Sequence, residues 1–351
     1  MGEILGLGLT HYPGLMVPDD AMGSLVLRTI ASGKVPAALR DPTAWPKPMR
    51  REWAGDQGAA AAADHRRRLV EGFRAVRKAL DDFAPDFVVI FGDDQYENFR
   101  EDMIPPFCVF AVPEMVSRPF ARANAFFRGG NIWGEATDKE FRAVGHPAGA
   151  KHLIARLMAE GFDMAYAYTL RHEIGLAHAF INTLLYLDYD RQGFPYAVVP
   201  FHVNCYGSSI VRNRGGIGGS GDAAADPPGP TAARCFELGA ATARALAASP
   251  WRVTLIASSS WSHAFLTPWT GYLHPDIEAD RARFAELRDG RLERWRDLAW
   301  PEIEAAGQHE LLNWICLAGA MHALGRRAEI VDWVETYVFN SSKCFAVFPC
   351  S

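Results

Sequence analysis

Four short apolar runs in this chain are each followed at once by side chains that can bind metals or move protons. His11 comes just after Ile4–Leu9, and Asp93, Asp94, Gln95 and Glu97 crowd the end of Phe87–Phe91. His202 and Asn204 close the run Tyr196–Phe201, and Trp261, Ser262 and His263 lie just beyond Val253–Ser258. Polar groups of this kind are costly in a core unless paired, so such corners are either open to solvent or organised around a ligand or ion. The serines of ASSSWSHAF are small enough to let a ligand approach the backbone, with the histidine projecting over it. Two more clusters sit at the starts of expected helices: His172, Glu173 and His178 in TLRHEIGLAH, and His309 and Glu310 in GQHELLNWICLAGAM. A carboxylate in the first turn of a helix is also ordinary capping chemistry, favoured by the helix dipole.

Spacing excludes several chemistries. TLRHEIGLAH lacks the His-Glu-x-x-His of a zinc-protease helix, and no Gly-x-Ser-x-Gly elbow supports a serine hydrolase. RNRGGIGGSGDAAADPPGP, residues 212–230, follows no strand-to-helix turn and carries no Lys-Ser/Thr, so it reads as a flexible surface loop rather than a phosphate cradle. The six cysteines are far apart with no CxxC pair, against a zinc knuckle or disulfide scaffold.

The elements that must position these residues alternate. Expected strands are Ile4–Leu9, Phe87–Phe91, Phe107–Ala111, Met164–Thr169, Tyr196–Phe201 and Val253–Ser258. Expected helices are Ala61–Asp82, Ala148–Glu160, Leu176–Tyr186, Ala232–Ala248, Asp276–Arg296 and His309–Leu324. Such alternation predicts an α/β fold, a central mixed sheet flanked by helices on both faces, in a single large domain over 1–351. In such a sheet ligands sit beyond the carboxyl ends of the strands, where the polar clusters fall. Residues 13–60 hold six prolines and little periodicity, which predicts a long excursion that covers something.

At 351 residues and 49% hydrophobic content the chain can bury a proper core. Lys+Arg 36 against Asp+Glu 41 leaves no basic excess for a phosphate backbone, so nucleic acid is not an expected partner. No basic leader and no apolar stretch of about 18 residues is present, so no membrane is expected and a cytoplasmic location is.

Taken in order, the motifs resemble the class III extradiol ring-cleavage dioxygenases, most closely the catalytic beta subunit of protocatechuate 4,5-dioxygenase. The matches are Thr10-His11, VVIFGDDQYENFREDMIPPF, Gly145-His146-Pro147, PFxVN at 200–204, Ser262-His263, and Glu310 to Met321 as Glu-Leu-x-x-Trp running to Gly-Ala-Met. The resemblance implies a mononuclear Fe(II) site, or another divalent metal, with two histidines and one carboxylate leaving positions for a catecholate and O2. By position His11 and Glu310 would be ligands and His263 the general acid and base. Gln95 stands where the second histidine ligand is expected; its amide oxygen is a neutral, weaker donor, and Asp93, Asp94 or Glu97 are alternatives. The family's Asp-His-Gly reads Glu173-Ile174-Gly175, so His172 or His202 is expected to supply the substrate-facing histidine. Asp94, Asn204 and Trp261 are the expected substrate contacts. The implied activity is cleavage or oxidation of a small phenolic or aromatic acid with O2, in a homodimer or with a small helical subunit. Two alternatives accompany it: the same fold with an altered metal site doing hydrolytic, lyase or non-catechol oxidative chemistry, and a non-catalytic binding protein like the Memo proteins.

Overall fold

In the computed structural model, which describes residues 2–121, 130–172, 175–214 and 226–350, the first strand shows how the site is assembled. Strand β1 (Glu3–Leu9) alternates leucine with glycine. Leu5, Leu7 and Leu9 enter the core on one face of the sheet. Gly6 and Gly8 present bare backbone to the other, where a Cβ on Gly8 would lie 2.1 Å from the Trp314 ring and one on Gly6 2.5 Å from Met321 Sδ. The alternation lets one helix lie directly on the strand.

Strands β2 (Phe87–Gly92), β3 (Phe107–Phe110), β6 (Ala165–Ala167), β7 (Ala197–Val203), β8 (Arg252–Ser258), β9 (Glu329–Val334) and β10 (Lys343–Phe348) complete an eight-stranded sheet in the order β6-β3-β7-β2-β8-β1-β10-β9. The central strands β7, β2, β8 and β1 are mutually parallel, while β3 and β10 run antiparallel to their inner neighbours. A separate hairpin pairs β4 (Glu114–Ser117) with β5 (Phe141–Val144). Helices α2 (Pro147–Ala159), α4 (Ala232–Ala247) and α6 (Leu311–Ala323) cover one face. Helices α1 (Ala59–Phe83) and α3 (His178–Leu187) cover the other, and α5 (Ile277–Arg288) lies beyond β8 in sequence. The sheet is mixed and flanked on both faces, as the alternation of runs predicts.

Strands β4, β5, β9 and β10 have no counterpart among the predicted elements. β9 interrupts its apolar residues with Glu329 and Asp332 and is only partly buried, so it carries no sustained apolar run. The excursion after β1 forms short helices at Asp19–Met22, Ser24–Ala31 and Lys47–Trp53. Leu15, Met22, Trp45, Met49 and Trp53 join the core on the α1 face. Glu52 accepts the backbone N–H of Tyr337 and Val338, each at 3.0 Å, and so ties the excursion to the β9–β10 connection. Most of the glycine-rich loop, residues 215–225, lies outside the described residues. All six cysteines are free thiols, and no described helix is long and apolar enough to cross a membrane.

Adding a methyl group at Gly8 must displace Trp314 or lift α6, and overpacking of this kind costs about 1–3 kcal/mol. Gly8→Ala is expected to lower the urea-unfolding free energy by that amount. Gly55→Ala, where nothing lies within 4 Å of the new atom, should change it by less than about 0.5 kcal/mol.

Candidate active site at the carboxyl ends of the parallel strands

Because β1, β8, β2 and β7 run parallel, their carboxyl ends share one edge, and the residues after them meet there. Three consecutive serines at the end of β8 fasten that edge together. The Ser258 carbonyl accepts His11 Nδ1–H at 2.9 Å, while the Ser258 hydroxyl donates to the Ala179 carbonyl of α3 at 2.9 Å. Ser259 donates to the Glu310 carbonyl at 2.8 Å and its own carbonyl accepts Trp314 Nε1–H at 2.9 Å. The Ser260 and Thr10 hydroxyls bond at 2.8 Å. Asn182 of α3 donates to the His11 carbonyl at 3.1 Å. The serines thus fix His11, α3 and the start of α6 to one another.

Their effect is to aim three lone pairs at one place. A carbonyl only accepts, so the contact with Ser258 places the His11 hydrogen on Nδ1. His263 Nδ1 likewise donates to the Trp261 carbonyl at 3.0 Å. Burial lowers both imidazole pKa values to about 4, so at neutral pH each ring is uncharged and its Nε2 is bare. Those two nitrogens lie 3.5 and 3.4 Å from Glu310 Oε2, an oxygen with no hydrogen-bond partner among the described residues. His11, His263 and Glu310 are all at most 5% exposed. Asp93 Oδ1 stands 4.0 Å from His11 Nε2 and its Oδ2 is also without a partner among the described residues. Burial, then the Glu310 charge, pushes the Asp93 carboxyl well above the usual range. Electron pairs converging without a hydrogen between them repel unless a cation lies among them.

Glu310 Oε1 is occupied differently. Tyr206 donates its hydroxyl hydrogen to it, and Gln95 Nε2 donates both to the Tyr206 oxygen at 2.9 Å and to Oε1 at 3.3 Å. The Tyr206 backbone is fixed by Asn204, whose Oδ1 accepts the Tyr206 N–H at 3.2 Å. On the α3 side, Glu97 accepts the His178 backbone N–H at 2.7 Å and His178 Nδ1–H at 3.0 Å. Single ligand atoms of His11, Asp93 and His178 all lie within 4.8 Å of one another, a set that could hold a metal.

The expected residues separate accordingly. His11, Gln95, His263 and Glu310 come together. Gln95, expected as a ligand, instead turns its amide nitrogen to Tyr206 and Glu310. Asp94, expected at the substrate, caps its own turn, accepting the N–H groups of Glu97 and Asn98 at 2.8 Å each and Phe99 at 3.3 Å. Trp261, expected at the substrate, is 1% exposed and packs against Trp295, Trp314 and Trp333. His202 points from β7 into the core beside Phe99, ring centroids 4.5 Å apart, and burial lowers its pKa to about 3. His172 lies near Asp102, with no contact to the His11 cluster among the described residues, and Glu173 lies outside them. Asn204, expected at the substrate, accepts the Tyr206 backbone N–H. Asp93, Glu97, His178 and Tyr206 complete the cluster. His178 was visible only in a stretch whose own spacing matches no metal motif, and Tyr206 carried no signal beyond its place after Asn204.

Residues 223–347, which carry β8, His263 and Glu310, match the family described as the catalytic LigB subunit of aromatic ring-opening dioxygenase. The chain is 28% identical over 246 residues to a 2,3-dihydroxyphenylpropionate/2,3-dihydroxicinnamic acid 1,2-dioxygenase of Comamonas testosteroni, covering 70% of this chain and 63% of that protein. A protein of that name from Paraburkholderia xenovorans is 27% identical over 290 residues, 74% of this chain and 83% of its own. These matches support a place in the class III extradiol dioxygenase superfamily. Another superfamily relative of the same name, from Photorhabdus laumondii, is 28% identical over 207 residues, 59% of this chain and only 52% of that protein. The chain thus spans about half to under two thirds of the length of the first two curated relatives it matches.

The loop bearing His263 rests on a buried carboxyl. Asp280 Oδ1 accepts the Ser262 N–H at 2.9 Å and Gln308 Nε2 at 2.7 Å, and burial raises the Asp280 pKa from 3.8 to about 7. Between those values the folded carboxyl keeps a proton that the unfolded one has lost. Its contribution to stability is therefore full below pH 3.8 and disappears as pH rises through about 7. Asp280→Asn keeps the acceptor oxygen but cannot ionise. The loss of unfolding free energy between pH 4 and 8 should shrink by about 2–4 kcal/mol in this variant, measured by denaturant titration at each pH. An unchanged slope would contradict this assignment.

Proposed function

We propose that this chain is a divalent-metal-dependent dioxygenase of the extradiol type that opens or oxidises the ring of a small phenolic acid, with Fe(II) as its metal. The observation that carries the proposal is the meeting of His11 Nε2 and Glu310 Oε2 with no hydrogen between them, with His263 Nε2 facing the same carboxylate oxygen as a bare base. Imidazole and carboxylate donors suit Fe(II) and its first-row neighbours, and the oxygens of Glu310 and Asp93 that have no partner among the described residues are the kind a cation satisfies. The site therefore fits a metal, with His11 and Glu310 as two of its holders. Bound Fe(II) supplies open positions for a catecholate and dioxygen and a path for electrons between them.

The side chains do the rest. The Ser258 carbonyl fixes the His11 ring, and Tyr206 and Gln95 together hold Oε1 so that Oε2 of Glu310 faces the imidazoles. His263 is the acid and base: its Nε2 lone pair takes a proton from a catechol hydroxyl and returns it to departing oxygen. The Trp261 carbonyl on Nδ1 keeps that nitrogen from competing for the proton. Gln95 and His178 are only partly buried, so the approach for substrate lies on their side. The names of the relatives point to a catechol bearing an acidic side chain as the substrate class.

After anaerobic Fe(II) loading, a panel of catechols is expected to drive O2 uptake with at least one member. His263→Ala should lower turnover by about 10²–10⁴-fold while iron content stays at the wild-type level. Folded, iron-loaded protein that consumes no O2 with any catechol would contradict the ring-opening reading. Activity on another substrate that is indifferent to chelators would favour hydrolytic or lyase chemistry on the same fold.

A further inference from the structure

Gln95 stands where a second imidazole is expected, yet the hydrogen-bond chemistry around it turns its amide nitrogen, not its oxygen, toward Glu310. Tyr206 has one hydroxyl hydrogen and gives it to Glu310 Oε1, so the Tyr206 oxygen must accept from Gln95. Only the amide nitrogen can donate. The same nitrogen faces Glu310 Oε1 at 3.3 Å, and reversing the amide would set two oxygens against each other with no hydrogen between. Gln95 is thereby a positioning residue for Glu310.

An imidazole reaches the centre from another element. His178 opens α3, and its ring meets His11 edge to face with centroids 4.9 Å apart. Glu97, from the same turn as Gln95, accepts both its backbone N–H and its Nδ1–H, while the other Glu97 oxygen accepts the Gln95 N–H at 3.0 Å. A carboxylate on one imidazole nitrogen fixes the ring and raises the basicity of the other, the usual way a protein prepares a metal-binding histidine. With Nδ1 committed to Glu97, Nε2 is the nitrogen for a metal. Asp93, with no exposure and an Oδ2 that has no partner among the described residues, completes the group within 4.8 Å.

We propose that His178, oriented by Glu97, supplies the second imidazole of the metal centre beside His11, with Asp93 as a carboxylate of the same site and Gln95 outside the ligand set. The cation it takes is a first-row divalent ion. This rests on the metal-dependent reading above and assigns the residues of that site.

The test is anaerobic titration with Co(II), followed by its visible absorption, on wild type and on His11→Ala, His178→Gly, Gln95→Ala and Glu97→Gln, each checked for folding by near-UV circular dichroism. Expected are binding that depends on His11, a loss of at least about 100-fold in affinity in His178→Gly, recovery of binding and of the absorption band by added imidazole, and a change under about tenfold in Gln95→Ala. Glu97→Gln, the mildest change to the fold, should weaken binding by about 10–100-fold. Wild-type affinity in His178→Gly, or loss of binding in Gln95→Ala with His178→Gly intact, overturns the proposal. A His178→Gly defect that imidazole cannot rescue in folded protein overturns it too. If wild type binds Co(II) and His178→Gly is unaffected, only the ligand assignment falls. If wild type shows no His11-dependent binding, the metal-dependent reading falls with it.

Discussion

Two bare imidazole nitrogens and a carboxylate oxygen facing one another across 3.4–3.5 Å, in a corner almost without solvent, are the constraint on which the rest of this structure depends. Left to themselves such groups separate or take up a proton. They are kept in place because every other polar atom on those side chains is bound to something rigid: His11 and His263 by backbone carbonyls, Glu310 Oε1 by Tyr206 and Gln95. The energy that holds the unfavourable meeting comes from the surrounding hydrogen bonds and packing, and the natural relief for it is a divalent cation.

That rigidity is assembled from three ordinary devices. Parallel pairing of β1, β8, β2 and β7 brings their ends to one edge. Glycines in β1 let Trp314 sit on the strand, so α6 starts where Glu310 can reach His11. A second glycine pair does the same between helices: a Cβ on Gly239 would lie 1.8 Å from the Cys316 carbonyl and one on Gly319 1.9 Å from that of Phe236, so α4 and α6 touch backbone to backbone. The serines after β8 then lock strand, α3 and α6 together. Their hydroxyls serve this fastening rather than a passing ligand, which is a different use from the one their small size suggests.

Much of this was legible in the sequence because it follows from local pattern. The six central and flanking helices and the inner strands announce themselves by apolar period, and His11, His263 and Glu310 are marked by their places just past a strand or at a helix start. Trp261 shows the limit of that reasoning. It is two residues from His263, yet its ring packs into the aromatic core while His263 Nε2 faces Glu310. Asp94 is another case: it belongs to a polar strand end, but its oxygens are consumed by its own turn. The pairing of Glu97 with His178 joins residues remote in sequence across a crossover. Neither stretch alone carries a metal-binding spacing, so only the folded chain brings the imidazole to the place where Gln95 lacks one.

Crystals loaded anaerobically with Fe(II) and measured on either side of the iron absorption edge give the most direct view of this centre. A single anomalous peak is expected within about 2.0–2.3 Å of His11 Nε2, between the Glu310 and Asp93 carboxylate oxygens that have no partner among the described residues. A fully loaded crystal with no peak there, or with iron bound away from His11 and Glu310, would contradict the convergence of lone pairs as a metal site.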